Sequence, residues 1–348
     1  MKNLKREGFR AYEYVIFAAV TFLAAVICVS LGSVSIPLKD TFTAVYHAIF
    51  GLTMPESIAS PVILLVRLPR VISVALTGAA LSLCGAAMQG LLKNPLADGS
   101  TLGVSSGASL GAVLSLAFGI TIPNIPLAGT MAMAMTFAFF SLLMILSLAH
   151  KLDRSLSTNT IILVGIIFSM LFNSVISLLT VFAPEKTRSI VFWMMGSLSG
   201  SDYTDVLVLL IALILCGAGI VRFSTELNAF SVGEDNARHV GVNVKRVRLY
   251  VLIFISVLIG ICVSVGGTIG FVGLVIPHMT RLITGPNHKR LLPAVLFFGA
   301  TFLMLADLVA RVVLNPLELP IGVVTSIIGA VVFLYIFYSR RKAGEYRA

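Results

Sequence analysis

Long apolar runs, separated by short polar segments, make up most of the chain. Many of these runs contain about 20 residues, the length at which an α-helix crosses the hydrocarbon core of a bilayer. The pattern therefore predicts an all-α, polytopic membrane protein with about ten transmembrane helices. The predicted spans are residues 14–32, 71–92, 102–120, 125–149, 161–182, 205–222, 249–268, 271–284, 291–312 and 320–338.

Two apolar segments are shorter than a full span. Residues 190–198 are too few to cross a bilayer, and we expect them to form a half-helix or surface helix on the outer side. Residues 270–285 contain Pro277, His278 and Arg281. We expect this segment to cross at reduced length within protein or beside a water-filled cavity, because a membrane tolerates interrupted backbone only there.

The composition is typical of a membrane protein rather than a soluble domain. Hydrophobic residues make up 58% of the chain and charged residues 11%, whereas soluble domains are about 25% charged. The net charge of +10 does not indicate nucleic-acid binding, because the basic residues gather at the ends of apolar segments, where they set orientation. The four cysteines lie in apolar runs without metal or redox spacing, which indicates packing residues.

The basic residues also predict the orientation, because Lys and Arg are retained on the cytoplasmic side. The N-terminus, the polar segment 227–248 and the C-terminal tail are all basic, so all three are predicted to be cytoplasmic. The first span follows a basic stretch, as a signal peptide does. It has full span length and no nearby cleavage site, so we expect it to be retained. Six basic residues lie outside in this topology: Lys39, Arg67, Arg70, Lys186, Arg188 and Arg311.

The polar segment 227–248 is too charged to lie in lipid. Ser231, with Glu234 three residues later, has the pattern of a capping box at a helix start, and Gly241 suits a helix end. We expect a short cytoplasmic helix that contacts another protein. Binding to the lipid surface is the alternative, but Glu234 and Asp235 would be repelled by anionic headgroups.

Motifs for catalysis or nucleotide binding lack the required context. The stretch GVSSG at 103–107 matches the nucleophile elbow of hydrolases, but its flanks are apolar and helical. The spacing of Gly103, Gly107 and Gly111 favours close helix packing instead. The stretch GGTIGFVG at 266–273 predicts a tight turn or close packing. The chain contains no Gly-Lys pair and hence no Walker A loop, so ATP would have to bind another chain.

Ionisable residues near the spans are few, and a charge inside a membrane is a functional candidate because its burial is costly. Asp307 lies near the outer end of its span, with Arg311 one helical turn later, which fits a structural ion pair or an ion-coupling site. Arg67 and Arg70 precede the second span on the outer side. They fit either interfacial snorkelling or docking of carboxylates from a partner protein.

Several separate motifs, in the same order, resemble the permease subunits of bacterial ABC importers for iron-siderophores, haem and vitamin B12, the FecCD-type or type II family. The resemblance covers nearly the whole chain. The motifs are RLPRVISVALTGAALSLCGAAMQGLLKNPLADGSTLGVSSGASLGAVL (67–114), SVGEDNARHVGV (231–242), GTIGFVGLVIPHMTRLITGPNHKRLLP (267–293), ADLVAR (306–311) and LPIGVVTSIIGAVVFLYI (319–336).

The resemblance implies two permease subunits, identical or homologous, around a pore near the fifth and tenth spans. It implies two ATP-binding cassette ATPase subunits docked on residues 230–242. It also implies an extracytoplasmic binding protein, lipid-anchored or periplasmic, whose glutamates meet Arg67, Arg70 and Arg311. The residues implied in ATPase coupling are Ser231, Val232, Gly233, Glu234, Asp235, Ala237, Arg238 and Gly241.

The sequence thus predicts a single transmembrane permease domain over residues 1–348, with a coupling segment at about 227–248, in a bacterial cytoplasmic membrane. The expected substrate is a metal chelate, an iron-siderophore before haem or cobalamin, and ATP hydrolysis in partner subunits drives its uptake. No catalytic residue, cofactor or metal site is expected in this chain. The alternatives are an ion-coupled carrier that acts without an ATPase and a membrane hydrolase based on Ser105.

Overall fold

The computed structural model describes residues 8–32, 36–50, 52, 59–99, 102–122, 128–154 and 157–342, and these are mostly α-helical. In chain order the helices are α1 (Ala11–Ser30), α2 (Leu38–Phe50), α3 (Val62–Leu92), α4 (Val104–Phe118), α5 (Ala128–Leu152), α6 (Thr158–Phe182), α7 (Thr187–Met194), α8 (Tyr203–Arg222), α9 (Ser224–Val232), α10 (Glu234–His239), α11 (Val244–Gly266), α12 (Val272–Thr284), α13 (His288–Val312) and α14 (Ile321–Lys342).

Each of the ten predicted spans coincides with an apolar helix. Within the described residues, seven helices are long and apolar enough to cross a membrane: α1, α3, α5, α6, α8, α11 and α13. The other three, α4, α12 and the apolar part of α14, are shorter. The prediction of an all-α polytopic membrane protein is confirmed, whereas the cytoplasmic placement of the termini stays a prediction.

The helix α3 lies at the centre of the bundle and packs against α13, α12, α11 and α8. Two glycine pairs allow its backbone to approach its neighbours closely. A Cβ atom on Gly78 would collide with the carbonyl oxygen of Gly299 in α13, and one on Gly85 would collide with that of Gly273 in α12. Such contacts between small residues hold membrane helices together through dispersion, where no hydrophobic driving force acts between them.

Gly103, Gly107 and Gly111 are close-packing positions, as predicted, but only Gly107 and Gly111 lie within a helix, α4. Gly107 and Gly111 face α5, and a Cβ on either would collide with that helix. Gly103 precedes α4 with a φ of 71° and lies against α6. Ser105 lies in the first turn of α4, and the residues described directly before the helix, 102–103, form a turn rather than a strand. This context excludes the nucleophile elbow.

The turn between α11 and α12 confirms the interpretation of GGTIGFVG. Gly267 has a φ of 67°, and a Cβ on it would collide with the carbonyl oxygen of Trp193. The helix α12 then begins after Phe271, which has a left-handed φ of 66°. Pro277 lies within this short helix, which packs against α3, α13 and α14 on one side while Leu282 and Ile283 are exposed. The segment is short, as expected, and its crossing of the membrane within protein stays a prediction.

Two elements differ from the prediction. The second span begins at Val62 rather than at residue 71, with a π-helical first section, so Arg67 and Arg70 lie within α3 and not ahead of it. The helix α2 was not predicted, because it is amphipathic and too short to cross. Residues 190–194 of the apolar segment 190–198 lie in a short helix, α7, and the chain leaves it at Met195. Its placement on the outer side stays a prediction.

Candidate functional site

The polar segment between α8 and α11 forms two short helices rather than one. The helix α9 ends at Val232, and Gly233, with a φ of 143°, turns the chain into α10. The predicted capping box is therefore wrong. Ser231 lies inside α9, where its hydroxyl donates to the carbonyl oxygen of Leu227 at 3.1 Å, and Gly233 occupies the N-cap position of α10. No side chain caps α10, and the Glu234 carboxylate pairs with Arg248 of α11.

A glycine directly after the C-cap residue terminates α10, as predicted. Gly241 has a φ of 87°, and its N–H donates to the carbonyl oxygen of Arg238 at 3.0 Å. The N–H of Val242 donates to the carbonyl oxygen of Ala237, also at 3.0 Å. This pair of bonds is the Schellman motif, which requires a left-handed residue at the position that Gly241 holds.

Glu234 fastens α10 to the membrane-spanning helix α11. Its carboxylate forms an ion pair with the guanidinium of Arg248, whose side chain is fully buried. The Cζ atom of Arg248 also lies 5.9 Å from the centroid of the Phe230 ring in α9. A buried charge is stable only with compensating partners. The Arg248 side chain therefore joins α9, α10 and α11 at one point.

A second polar contact ties α9 to α13. The Nδ2 atom of Asn228 donates to Oδ1 of Asn287 at 2.8 Å. The Oδ1 atom of Asn228 accepts from the backbone N–H of His288 at 2.8 Å and lies 3.0 Å from Nδ1 of His288. Asn287 also caps α13 by accepting from the N–H of Lys289 at 3.0 Å. These bonds fix the position of α9 relative to the first turn of α13.

The residues implied in ATPase coupling divide into an exposed face and its support. Asp235 and Arg238 are exposed and form an ion pair at 3.7 Å. Glu234 and Gly233 are half-buried, and Ala237 is fully buried, so any part that Ala237 has in coupling is through packing. The exposed members of the set are Ser231, Val232, Asp235, Arg238 and Gly241. Val240, which sequence analysis did not select, adds a 73% exposed apolar side chain beside them.

At the end of the bundle opposite the polar segment, where α3 begins and α13 ends, Arg67 and Arg311 cap the C-terminal end of α1. Each guanidinium donates two hydrogen bonds, at 2.8 to 3.0 Å, to backbone carbonyl oxygens. The last carbonyl groups of a helix have no partner within it and carry partial negative charge. The four carbonyl oxygens that accept these bonds belong to Cys28, Val29, Ser30 and Leu31.

Arg67, Arg70 and Arg311 form an arginine cluster at this end of the bundle. Arg70 and Asp307 lie at its centre. The Nε and Nη2 atoms of Arg70 both donate to Oδ1 of Asp307, at 3.1 and 2.9 Å. Its Nη1 atom donates to Oε2 of Glu318 at 2.8 Å. The Oδ2 atom of Asp307 lies 2.9 Å from Nε of Arg311. Because these charges are buried and compensate one another, the geometry favours a structural ion pair over an ion-coupling site at Asp307.

The arrangement contradicts the snorkelling interpretation of the outer arginines. Arg67 and Arg70 are only 5% and 7% exposed, and their guanidinium groups turn into the protein rather than toward water. Glu318, which sequence analysis also missed, is the partly exposed member of the cluster, with a side chain 34% exposed. Docking of a binding protein on this cluster stays a prediction. Glu318 accepts a hydrogen bond from Nη1 of Arg70 and is the partner of Arg70 that is nearest to solvent.

The four cysteine side chains are free thiols and all are buried, in agreement with packing. Within the part of the chain that the structure describes, no group of three or more His, Cys, Asp or Glu side chains is arranged to hold a metal ion.

Comparison with known proteins gives one consistent result. Residues 20–339 match the FecCD transport family. The chain is 40% identical over 338 residues to an uncharacterized ABC transporter permease protein, YvrB, of Bacillus subtilis, covering 97% of this chain and 96% of that protein. It is 36% identical over 334 residues to the cobalamin import system permease protein BtuC of Halobacterium salinarum, covering 94% and 88%.

The fold agrees with these sequence matches. A solved structure of an inward-facing, metal-chelate type ABC transporter superposes with a TM-score of 0.83 at 32% identity, covering 95% of this chain and 100% of that one. This multi-pass protein of the cytoplasmic membrane belongs to the FecCD transport family.

Proposed function

We propose that the chain is the membrane-spanning permease subunit of an ABC importer for a metal chelate. Its family membership and the ten apolar helices support a transport role, and the cobalamin permease among its relatives supports a chelate as cargo. An iron-siderophore is the favoured substrate, with haem and cobalamin as alternatives. Residues 1–348 would form one transmembrane domain.

The proposed assembly contains two permease subunits, two ABC ATPase subunits and an extracytoplasmic binding protein. ATP hydrolysis takes place in the ATPase subunits, in agreement with the lack of a Gly-Lys pair in this chain. The binding protein delivers the chelate to the outer mouth, and the pore alternates its access between the two sides of the membrane.

The arrangement of α9 and α10 is the observation that best supports a coupling segment between an ATPase and the pore. These helices present an exposed face with Asp235, Arg238 and Val240 on it. On their other side, Glu234 holds α11 through Arg248, and Asn228 holds the start of α13. A partner that displaces the exposed face would therefore move two spanning helices together, which is what a coupling segment between an ATPase and a pore must do.

On the outer side, we propose that the arginine cluster receives the binding protein. The guanidinium of Arg70 already binds two carboxylates, one along each edge, and only Glu318 is partly exposed. A carboxylate of the binding protein would replace Glu318 on Nη1 of Arg70, since guanidinium groups favour such paired bonds. Arg67 and Arg311 would stabilise the interface indirectly, because their hydrogen bonds fix the C-terminal end of α1 beside it.

Uptake into vesicles tests the proposed function. The assembled importer is placed in vesicles with ionophores that collapse all ion gradients, and ATP is supplied to the ATPase side. We expect uptake of the ferric chelate to require ATP and to be unaffected by the ionophores. Uptake that continues without ATP and stops with an uncoupler would establish the ion-coupled carrier instead.

A further inference from the structure

A large cavity lies at the end of the molecule opposite the coupling segment. The helix α8 runs from the cavity at its first turn to Arg222, two residues before α9 begins, a length of about 30 Å. The cavity has a volume of about 1,010 Å³ and lies among the ends of α4, α5, α8 and α11, the side of α7 and the residues before α14. This is the upper end of the range of about 300–1,000 Å³ that small-molecule sites occupy.

The wall of this cavity combines apolar and hydroxyl groups. The lining includes Phe192 and Trp193 of α7 and Met131 and Met135 of α5, which give it aromatic and polarizable apolar groups. Serine and threonine residues from α5, α7, α11 and the segment 197–204 supply hydroxyl groups. Such a wall suits a bulky ligand whose surface carries both apolar groups and hydrogen-bonding amides or hydroxyls.

All charged residues that line the cavity, within the described part of the chain, are acidic. They are Asp202, Asp205 and Glu318. Glu318 is shared with Arg70, which lies behind the wall. The Cζ atom of Arg188 lies 5.7 Å from the ring centroid of Phe192, and Arg188 itself is not part of the lining.

The two aspartates are held in place by backbone hydrogen bonds. The Oδ1 atom of Asp202 accepts from the N–H groups of Thr204 and Asp205 at 2.8 and 3.0 Å. The Oδ2 atom of Asp205 accepts from the N–H of Asp202 at 3.1 Å. These bonds occupy one edge of each carboxylate and fix its position at the cavity wall.

We propose that this cavity receives the chelate on the outer side and selects chelates that are neutral or positively charged over chelates with several negative charges. The inference rests on the proposed import function and adds the substrate class. Carboxylates in a partly enclosed wall of low dielectric repel anions at short range and attract cations. A neutral ferric trihydroxamate fits this wall, whereas a ferric tricatecholate, which carries three negative charges, does not.

The position of Trp193 makes the selection measurable. It is the only tryptophan of the chain, and it lines the cavity. Ferric chelates quench a nearby indole because they absorb light strongly. In titrations of the full chain in lipid nanodiscs, we expect saturable quenching by a neutral ferric trihydroxamate and by a trihydroxamate with a free ammonium group. The tricatecholate should require a concentration at least about tenfold higher. A Trp193→Phe variant corrects for absorption of light by the chelate.

A charge-neutral variant gives the matched test. The double substitution Asp202→Asn and Asp205→Asn keeps an oxygen at each position that caps α8, so the fold is retained. We expect tricatecholate binding to tighten about tenfold, binding of the neutral trihydroxamate to stay unchanged, and binding of the trihydroxamate with a free ammonium group to weaken. Equal affinities in the original chain, an unchanged ratio in the variant, or no quenching by any chelate would each overturn the inference. ATP-driven uptake that persists in such a case leaves the importer assignment standing.

Discussion

Arg70 and Asp307 lie 237 residues apart in the chain, yet Nη2 of the arginine is 2.9 Å from Oδ1 of the aspartate. The contact joins α3 to α13 at the same end of the bundle at which both helices hold α1. Glycine contacts join the same two helices further along their length. The two helices therefore form the central framework on which the outer arginine cluster is built.

Replacing Asp307 tests this framework. The substitution Asp307→Asn leaves Arg70 and Arg311 buried without a full negative charge between them, and removing one partner of a buried ion pair costs about 3–5 kcal/mol. We expect a clear loss of thermal stability in detergent. Glu318→Gln is the control, because Glu318 is 34% exposed and an exposed pair contributes about 0–1 kcal/mol. Equal melting temperatures for the two variants would rule out the proposed framework.

The ion pair between Glu234 and Arg248 should determine how well ATP hydrolysis is coupled to transport. Glu234→Gln removes the charge that compensates the buried Arg248, so α10 is held less firmly to α11. We expect the ATPase subunits to remain active while the amount of chelate transported per ATP falls several-fold. Both rates are measured in the same vesicles.

The neighbouring aspartate provides the comparison for that variant. Asp235 has an 88% exposed side chain and only a 3.7 Å pair with Arg238, so Asp235→Asn should leave the ratio of transport to hydrolysis unchanged, whatever it does to ATPase affinity. A normal ratio in Glu234→Gln would show that the buried ion pair has no part in coupling.

The contact between Asn228 and the start of α13 makes a similar prediction with a conservative control. Asn228→Ala and Asn287→Ala each break the bond between α9 and α13, and we expect both to lower transport per ATP. Asn287→Asp keeps the oxygen that accepts from Asn228 and from Lys289, so it should retain coupling. If Asn287→Asp is as defective as Asn287→Ala, the hydrogen bond is not what matters at this position.

Glu318 should compete with the binding protein for Arg70. The substitution Glu318→Gln weakens the internal bond to Nη1 of Arg70, so we expect binding-protein capture to tighten by up to about fivefold, the effect of one exposed ion pair. The gain should be largest at low salt, since exposed charges are screened. Glu185→Gln, an exposed change in the turn before α7, is the control. Weaker capture by Glu318→Gln would contradict docking at Arg70.

Seven of the spanning helices were predictable because each is a continuous apolar run whose length alone indicates a crossing, and the three shorter ones were found from their apolar composition. The end of α10 was predictable for a similar reason, since Gly241 adopts a positive φ that other residues disfavour. Both signals depend only on neighbouring residues, so no knowledge of the fold is needed to use them.

The arginine cluster was not predictable in this way, because the carboxylates that bind Arg70 come from residues 237 and 248 positions away. Local sequence around Arg67 and Arg70 is equally compatible with a solvent-facing pair. The capping box at Ser231 failed because α9 continues through that serine, and a short motif cannot show which of two adjacent helices a residue joins. The helix α2 was missed because its apolar residues lie on one face and never form a long run.

Labelling of an introduced cysteine tests the central claim most directly. The four native cysteines are buried, so a membrane-impermeant maleimide reports only on the new position. Asp235→Cys in the coupling segment should react in inside-out vesicles, be protected when the ATPase subunits are bound, and stay unlabelled in intact cells. Ser199→Cys, exposed at the opposite end, should show the reverse sidedness. Labelling of Asp235→Cys from outside intact cells, or no protection by the ATPase, would contradict the account.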